Sequence, residues 1–140
     1  RGVAYGGPDL AARNLAVLDA WQRSSRVPFE RRIPISGTGA IETGRTALAY
    51  GLCGATSLQM HTIFQWPDHF YAMRTGGKTA RALHHLLFHP RTGLLAWLLH
   101  WREQYDLAEG GITRFLDLPR WYRTFTEKAD GERGVLSLLC

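Results

Sequence analysis

The stretch best suited to chemistry is a loop with almost no side-chain bulk. Gly37-Thr38-Gly39-Ala40 follows a short apolar run, Ile33-Pro34-Ile35-Ser36, and precedes a helical pattern. Backbone N–H groups left bare by glycine, next to a helix start, form a place where phosphate binds. Further on, His61-Thr62 closes a second strand-like stretch. Thr62 could add a hydroxyl and a backbone N–H, and His61 a ring nitrogen. On the residues alone two readings stand together: an anion site, or a glycine turn needed only to pass from strand to helix.

Other reactive side chains lack context. His84, His85 and His89 include a pair one helical turn apart, a spacing that can place two imidazoles on one ion. No acidic residue lies nearby in sequence, so the reading is of partly exposed helix histidines, with no metal assigned. Cys53 sits at a helix end between Leu52 and Gly54 and reads as small buried filler rather than a nucleophile. Glu42 and Asp68 lie near the proposed mouth, yet nothing marks either as an acid or base. Catalytic residues stay unassigned.

The elements that must position the loop follow from spacing. Asp9 to Ser24 reads as a helix with Leu10, Leu15, Val17, Leu18 and Trp21 near one face. The first strand covers Arg32–Ser36. Thr43 caps a helix that runs to Leu52 and stops at Gly54. The second strand is Thr56–Thr62, with Leu58, Met60 and Thr62 on one face and Ser57, Gln59 and His61 on the other. Two strands joined by a helix in so few residues are expected to be parallel, with a right-handed crossover. Beyond Trp66-Pro67, Asp68 is expected to cap a short helix reaching Met73. Lys78 to His89 reads as a further helix ended by Pro90. Gly93 to Leu107 follows, capped by Thr92, with Trp97 mostly buried. Pro119 to Lys128 is expected to be helical, and Val135 to Cys140 to be an apolar tail.

The central stretch resembles the last β/α/β of the FMN-dependent (β/α)8 barrels, and the dihydroorotate dehydrogenase family most closely. The matching residues are Ile33-Pro34-Ile35-Ser36-Gly37-Thr38-Gly39-Ala40-Ile41, then Gly44, Ala47 and Leu48, then Gly54-Ala55-Thr56-Ser57-Leu58-Gln59-Met60 with Thr62. Tyr5-Gly6-Gly7-Pro8 is similar to a third, earlier glycine turn near the flavin. The resemblance implies that residues 1–75 are closing β/α units of a TIM barrel, with residues 76–140 a helical extension packed on it. It implies an α/β fold, and an FMN phosphate held by Gly6, Gly7, Gly37, Thr38, Gly39, Ala40, His61 and Thr62. It implies part of a flavin oxidoreductase that moves a hydride from a reduced pyrimidine to FMN. Ala40 departs from the pattern, which has a second glycine there; a methyl is tolerable if φ stays negative.

A complete barrel needs about 200 residues or more, and the chain has 140. The resemblance therefore implies a partner, either the rest of the barrel or a second chain. The family's catalytic base and flavin-contacting lysine would lie in that part, since the first lysine here is Lys78. Charge is +5, and lysine occurs only at Lys78 and Lys128. Arginine suits bidentate anion contacts, yet the pattern reads first as a solvated surface. A basic nucleic-acid binder using Arg31, Arg32, Arg120 and Arg123 with Trp121 and Tyr122 lacks a known binding motif, so no nucleic acid is expected. A non-catalytic barrel fragment or protein-interaction module is the principal rival to the flavin reading. Leu94 to Trp101 is apolar but too short to span a bilayer, and reads as a core helix or an oligomer interface ahead of a membrane-surface helix. Two cysteines, Cys53 and Cys140, give no disulfide framework and fit a reducing cytoplasm.

Overall fold

The computed structural model describes Gly7 and residues 9–28, 31–104 and 114–122. Gly6, the tail from Val135 and most of the expected Pro119–Lys128 helix lie outside the described residues. The fold mixes helices with two parallel strands: α1 (Leu10–Ser24), β1 (Ile35–Thr38), α2 (Gly44–Leu52), β2 (Ala55–Gln59), α3 (Lys78–Phe88) and α4 (Leu94–Gln104). Short 3-10 turns cover Thr62–Gln65, Asp68–Phe70 and Phe115–Asp117, and residues 118–122 are helical.

The middle of the fold is α2. Thr43 has extended backbone, and its side chain accepts from the Thr46 N–H at 3.2 Å. That removes one orphan donor at the helix start. Every residue of α2 except Arg45 is buried. A helix apolar on all sides must be surrounded, and its small residues let neighbours come close. A Cβ on Gly44 would lie 1.9 Å from the Leu94 nitrogen, so the starts of α2 and α4 touch. A Cβ on Gly51 would meet Leu118 and Phe115. The sheet and α1 close the remaining sides.

β1 and β2 pair in parallel, with Ser36 opposite Ser57, Gly37 opposite Leu58 and Thr38 opposite Gln59. The register slips between Ile35 and Ser36, where the Thr56 hydroxyl donates to the Ile35 carbonyl at 3.2 Å. Gly37 faces the Tyr50 ring of α2, with the Ala55 methyl beside it. Thr38, Ser57 and Gln59 are exposed on the opposite face.

The strands are shifted from their expected limits. β1 begins at Ile35 because Pro34 has no N–H to give a ladder, and Ile33 is left exposed. β2 ends at Gln59, opposite the last residue of β1, and Thr62 starts a 3-10 turn instead. Asp68 opens its own short turn with no capping bond from its side chain; its carboxylate meets Arg81 of α3 at 2.8 Å. On α1, Ala11 and Leu15 are buried while Val17 faces solvent.

α3 and α4 are separate helices, joined by a turn at Pro90. Gly93 N–H donates to the His89 carbonyl at 2.8 Å there. Trp97 is mostly buried, as expected, packing against the core with the Arg45 guanidinium 4.9 Å from its ring centre. The more deeply buried tryptophan of α4 is Trp101, one turn further on. Among the described residues no helix is long and apolar enough to cross a membrane. Trp101→Ala is expected to destabilise by about 3–5 kcal/mol, as for an aromatic removed from a core. Trp97→Ala is expected to cost clearly less; denaturant melts of the two variants check the order.

Candidate functional site

A cleft of about 350 Å3 opens where both strands end. Thr38, Gly39, Ala40 and Ile41 line one side, and Gln59, Met60, His61 and Thr62 the other, with Leu10 of α1 completing it. No acidic side chain is among them, and no lysine or arginine either. The carboxyl ends of adjacent parallel strands are where α/β folds place ligands.

Loop geometry is set from beneath. Tyr50 is fully buried, and its hydroxyl donates toward the Thr38 carbonyl at 2.7 Å and the Gly39 carbonyl at 3.1 Å. Asn14 of α1 donates its Nδ2 to the Thr38 carbonyl at 2.7 Å. Burial pushes the Tyr50 phenol up, with Asn14 opposing, so the hydroxyl keeps its proton and acts as a donor. Gly39 takes φ +107° and Ala40 φ +47°. Both values lie in the region that favours glycine.

Of the eight residues assigned from sequence, Thr38, Gly39, Ala40, His61 and Thr62 meet around the cleft. Gly37 does not: it is buried in β1, and a Cβ there would lie 2.7 Å from the Tyr50 ring. Its role is to let that ring pass under the strand. Gly7 does not line the cleft; its carbonyl accepts from the Leu10 N–H at the start of α1. Gly6 lies outside the described residues. Ala40 does not keep the negative φ assumed for it, so its methyl sits in a strained left-handed turn.

Two of the leading N–H groups of α2 are already bonded within the protein. Gly44 N–H donates to the Thr92 carbonyl at 2.8 Å, and Thr46 N–H to the Thr43 hydroxyl. The first turn of α2 thus faces the start of α4, and the cleft lining ends at Ile41. An anion in the cleft would rely on loop N–H groups, the Thr38 and Thr62 hydroxyls, Gln59 and His61.

Comparisons with known proteins add no parentage. The chain matches no family model, no curated protein and no solved structure.

Sequence reading missed Tyr50 and Asn14. Asn14 had a signal: it lies one turn from both Leu10 and Leu18 on the face of α1 that turns inward, where a polar side chain needs a partner. Tyr50 had none, because a tyrosine at helical spacing reads as core.

The histidines serve local structure. The His85 Nδ1 accepts from the Ala72 N–H at 3.4 Å, and the His89 Nδ1 from the Thr92 N–H at 3.1 Å. Burial, then His89 and His84, hold His85 below the usual histidine range. Among the described residues no group of three or more His, Cys, Asp or Glu is placed to hold a metal. Burial pushes the Cys53 thiol far up, which leaves it protonated and unreactive. Tyr122 is buried with its hydroxyl donating to Asp19, so it offers no face for stacking a base.

The strain at Ala40 is measurable. An L-residue in the left-handed region costs roughly 1–2 kcal/mol, against roughly 0.5–1 kcal/mol for the extra freedom glycine loses. Ala40→Gly is therefore expected to stabilise by up to about 1 kcal/mol, read from urea melts of the two proteins.

Proposed function

We propose that the cleft binds the phosphate of FMN and that the chain is the carboxyl-terminal, cofactor-holding part of a dihydroorotate-dehydrogenase-like flavin oxidoreductase. The observation that carries this reading is the meeting of Thr38-Gly39-Ala40 with His61-Thr62 in one cleft free of acidic groups. Those two segments were picked out by resemblance, far apart in sequence. The cleft is at the lower end of the size of small-molecule sites, about 300–1,000 Å3, which fits the phosphate end of a larger cofactor.

The sheet supports the barrel reading. Parallel sheets are normally covered on both faces, yet Thr38, Ser57 and Gln59 stand exposed on one face of this pair. Two strands with open edges invite further strands, which the rest of a barrel would supply. Gly39 is the residue that lets the loop pack on α1: a Cβ there would come 2.8 Å from Asn14 and 3.1 Å from Leu10. When bound, the flavin supplies the hydride-accepting chemistry. The residues here hold its phosphate: Gly39 and Ala40 through backbone N–H groups, Thr38 and Thr62 through hydroxyls, and His61 through a ring nitrogen.

With two leading N–H groups of α2 already bonded, the chain alone is expected to bind phosphate or FMN weakly, with a Kd on the order of millimolar. An assembly that supplies further strands is expected to copurify with flavin. Gly39→Asp is expected to abolish binding, by strain at φ +107° and by charge repulsion. His61→Glu, on an exposed side chain, is expected to weaken it about fivefold while leaving the melting temperature unchanged. Fluorescence titration of FMN against the three proteins checks this; equal affinity in all three would remove the assignment.

A further inference from the structure

We infer that Tyr50 and Asn14 are positioning residues for the anion loop, holding two successive peptides with their carbonyls toward the core and their N–H groups toward the cleft. This inference rests on the cleft being a phosphate site, and adds two residues that neither line the cleft nor belong to the resemblance.

The argument starts from peptide planarity. In a trans peptide the C=O and N–H point in opposite directions, and no cis peptide occurs among the described residues. The Thr38 carbonyl is held by both Tyr50 and Asn14, at 2.7 Å each. The N–H of that peptide belongs to Gly39, and it points away from both donors. The Gly39 carbonyl meets the same tyrosine hydroxyl at 3.1 Å, which turns the Ala40 N–H away from it too. Neither donor lines the cleft, whereas Gly39 and Ala40 do. Two adjacent N–H groups on one side of a loop are what an anion needs.

The hydroxyl cannot move to follow the loop. The Tyr50 ring is fully buried and lies against Gly37, where even a Cβ would sit 2.7 Å from ring carbon Cδ1. The donor is therefore fixed and the loop must conform to it.

Ala40 shows the loop conforming at a cost. Its φ is +47°. A flip of the Gly39–Ala40 peptide would change that φ by roughly 180° and bring it into the ordinary extended region. The same flip would carry the Gly39 carbonyl off the Tyr50 hydroxyl and turn the Ala40 N–H away from the cleft. The tyrosine hydroxyl thus opposes the relaxation that would dismantle the anion site.

The test uses the 140-residue chain and inorganic phosphate, followed by phosphate-induced shifts of the Gly39 and Ala40 amide signals. Tyr50→Phe keeps the ring and removes only the hydroxyl. It is expected to weaken phosphate binding about three- to tenfold, and Asn14→Ala to weaken it by a smaller factor. Leu86→Val, a core truncation on α3 away from the loop, lowers the melting temperature and is expected to leave phosphate affinity unchanged. A second readout separates positioning from bulk stability: the rise in melting temperature from Ala40→Gly is expected to shrink in the Tyr50→Phe background, because the freed peptide relaxes without it. Folded Tyr50→Phe that binds like the parent, with the full Ala40→Gly gain, overturns the positioning claim and leaves the phosphate site standing. Equal weakening in Leu86→Val overturns it as well. A parent chain whose Gly39 and Ala40 signals do not respond to phosphate overturns the phosphate reading and this inference together.

Discussion

The geometry of the cleft depends on one buried ring. Tyr50 projects from α2 under β1, and its hydroxyl reaches the carbonyls at the strand's end. Gly37 leaves room for the ring, and burial keeps the phenol protonated as a donor. A bare glycine turn would have several orientations open to its peptides. Here a rigid donor on a fully surrounded helix selects one, and that selection places a strained alanine at the cleft. Strain of this kind persists only where the surroundings over-determine the backbone.

The same central helix limits what the proposed site could draw on to hold an anion. α2 is surrounded because its residues are small, and its first turn presses on the start of α4 at Gly44 and Leu94. The price is that its leading N–H groups go to Thr92 and Thr43 rather than to a ligand. A helix end contributes only within its first turn, so the cleft is left with backbone and hydroxyl donors. Affinity for a whole cofactor would then have to come from surfaces beyond these two strands, in keeping with the uncovered polar face of the sheet.

Much of the fold was legible. Thr43 as a cap, Gly54 as a stop and Pro90 as a break each act through local chemistry, and the structure places them as such. The parallel strands were legible because a helix between two short apolar runs leaves few other arrangements. Strand limits were not, since they depend on where a partner runs out: β2 stops at Gln59 because β1 stops at Thr38. Trp97 and Trp101 could not be ranked from a helix that is apolar nearly all round. Five cleft residues were legible through glycine and strand-end patterns. The Gly44–Thr92 bond at the start of α2 and the Tyr50 and Asn14 bonds were not, because they are set by packing between elements far apart in sequence.

The central claim is that an anion sits between the two strand ends, on the peptides that Tyr50 fixes. A crystal structure of the chain grown with FMN tests it most directly. The account places phosphate oxygens about 3 Å from the backbone nitrogens of Gly39 and Ala40, with His61 and Thr62 on the opposite side. Phosphate bound elsewhere, with those two nitrogens turned from it, would contradict the account.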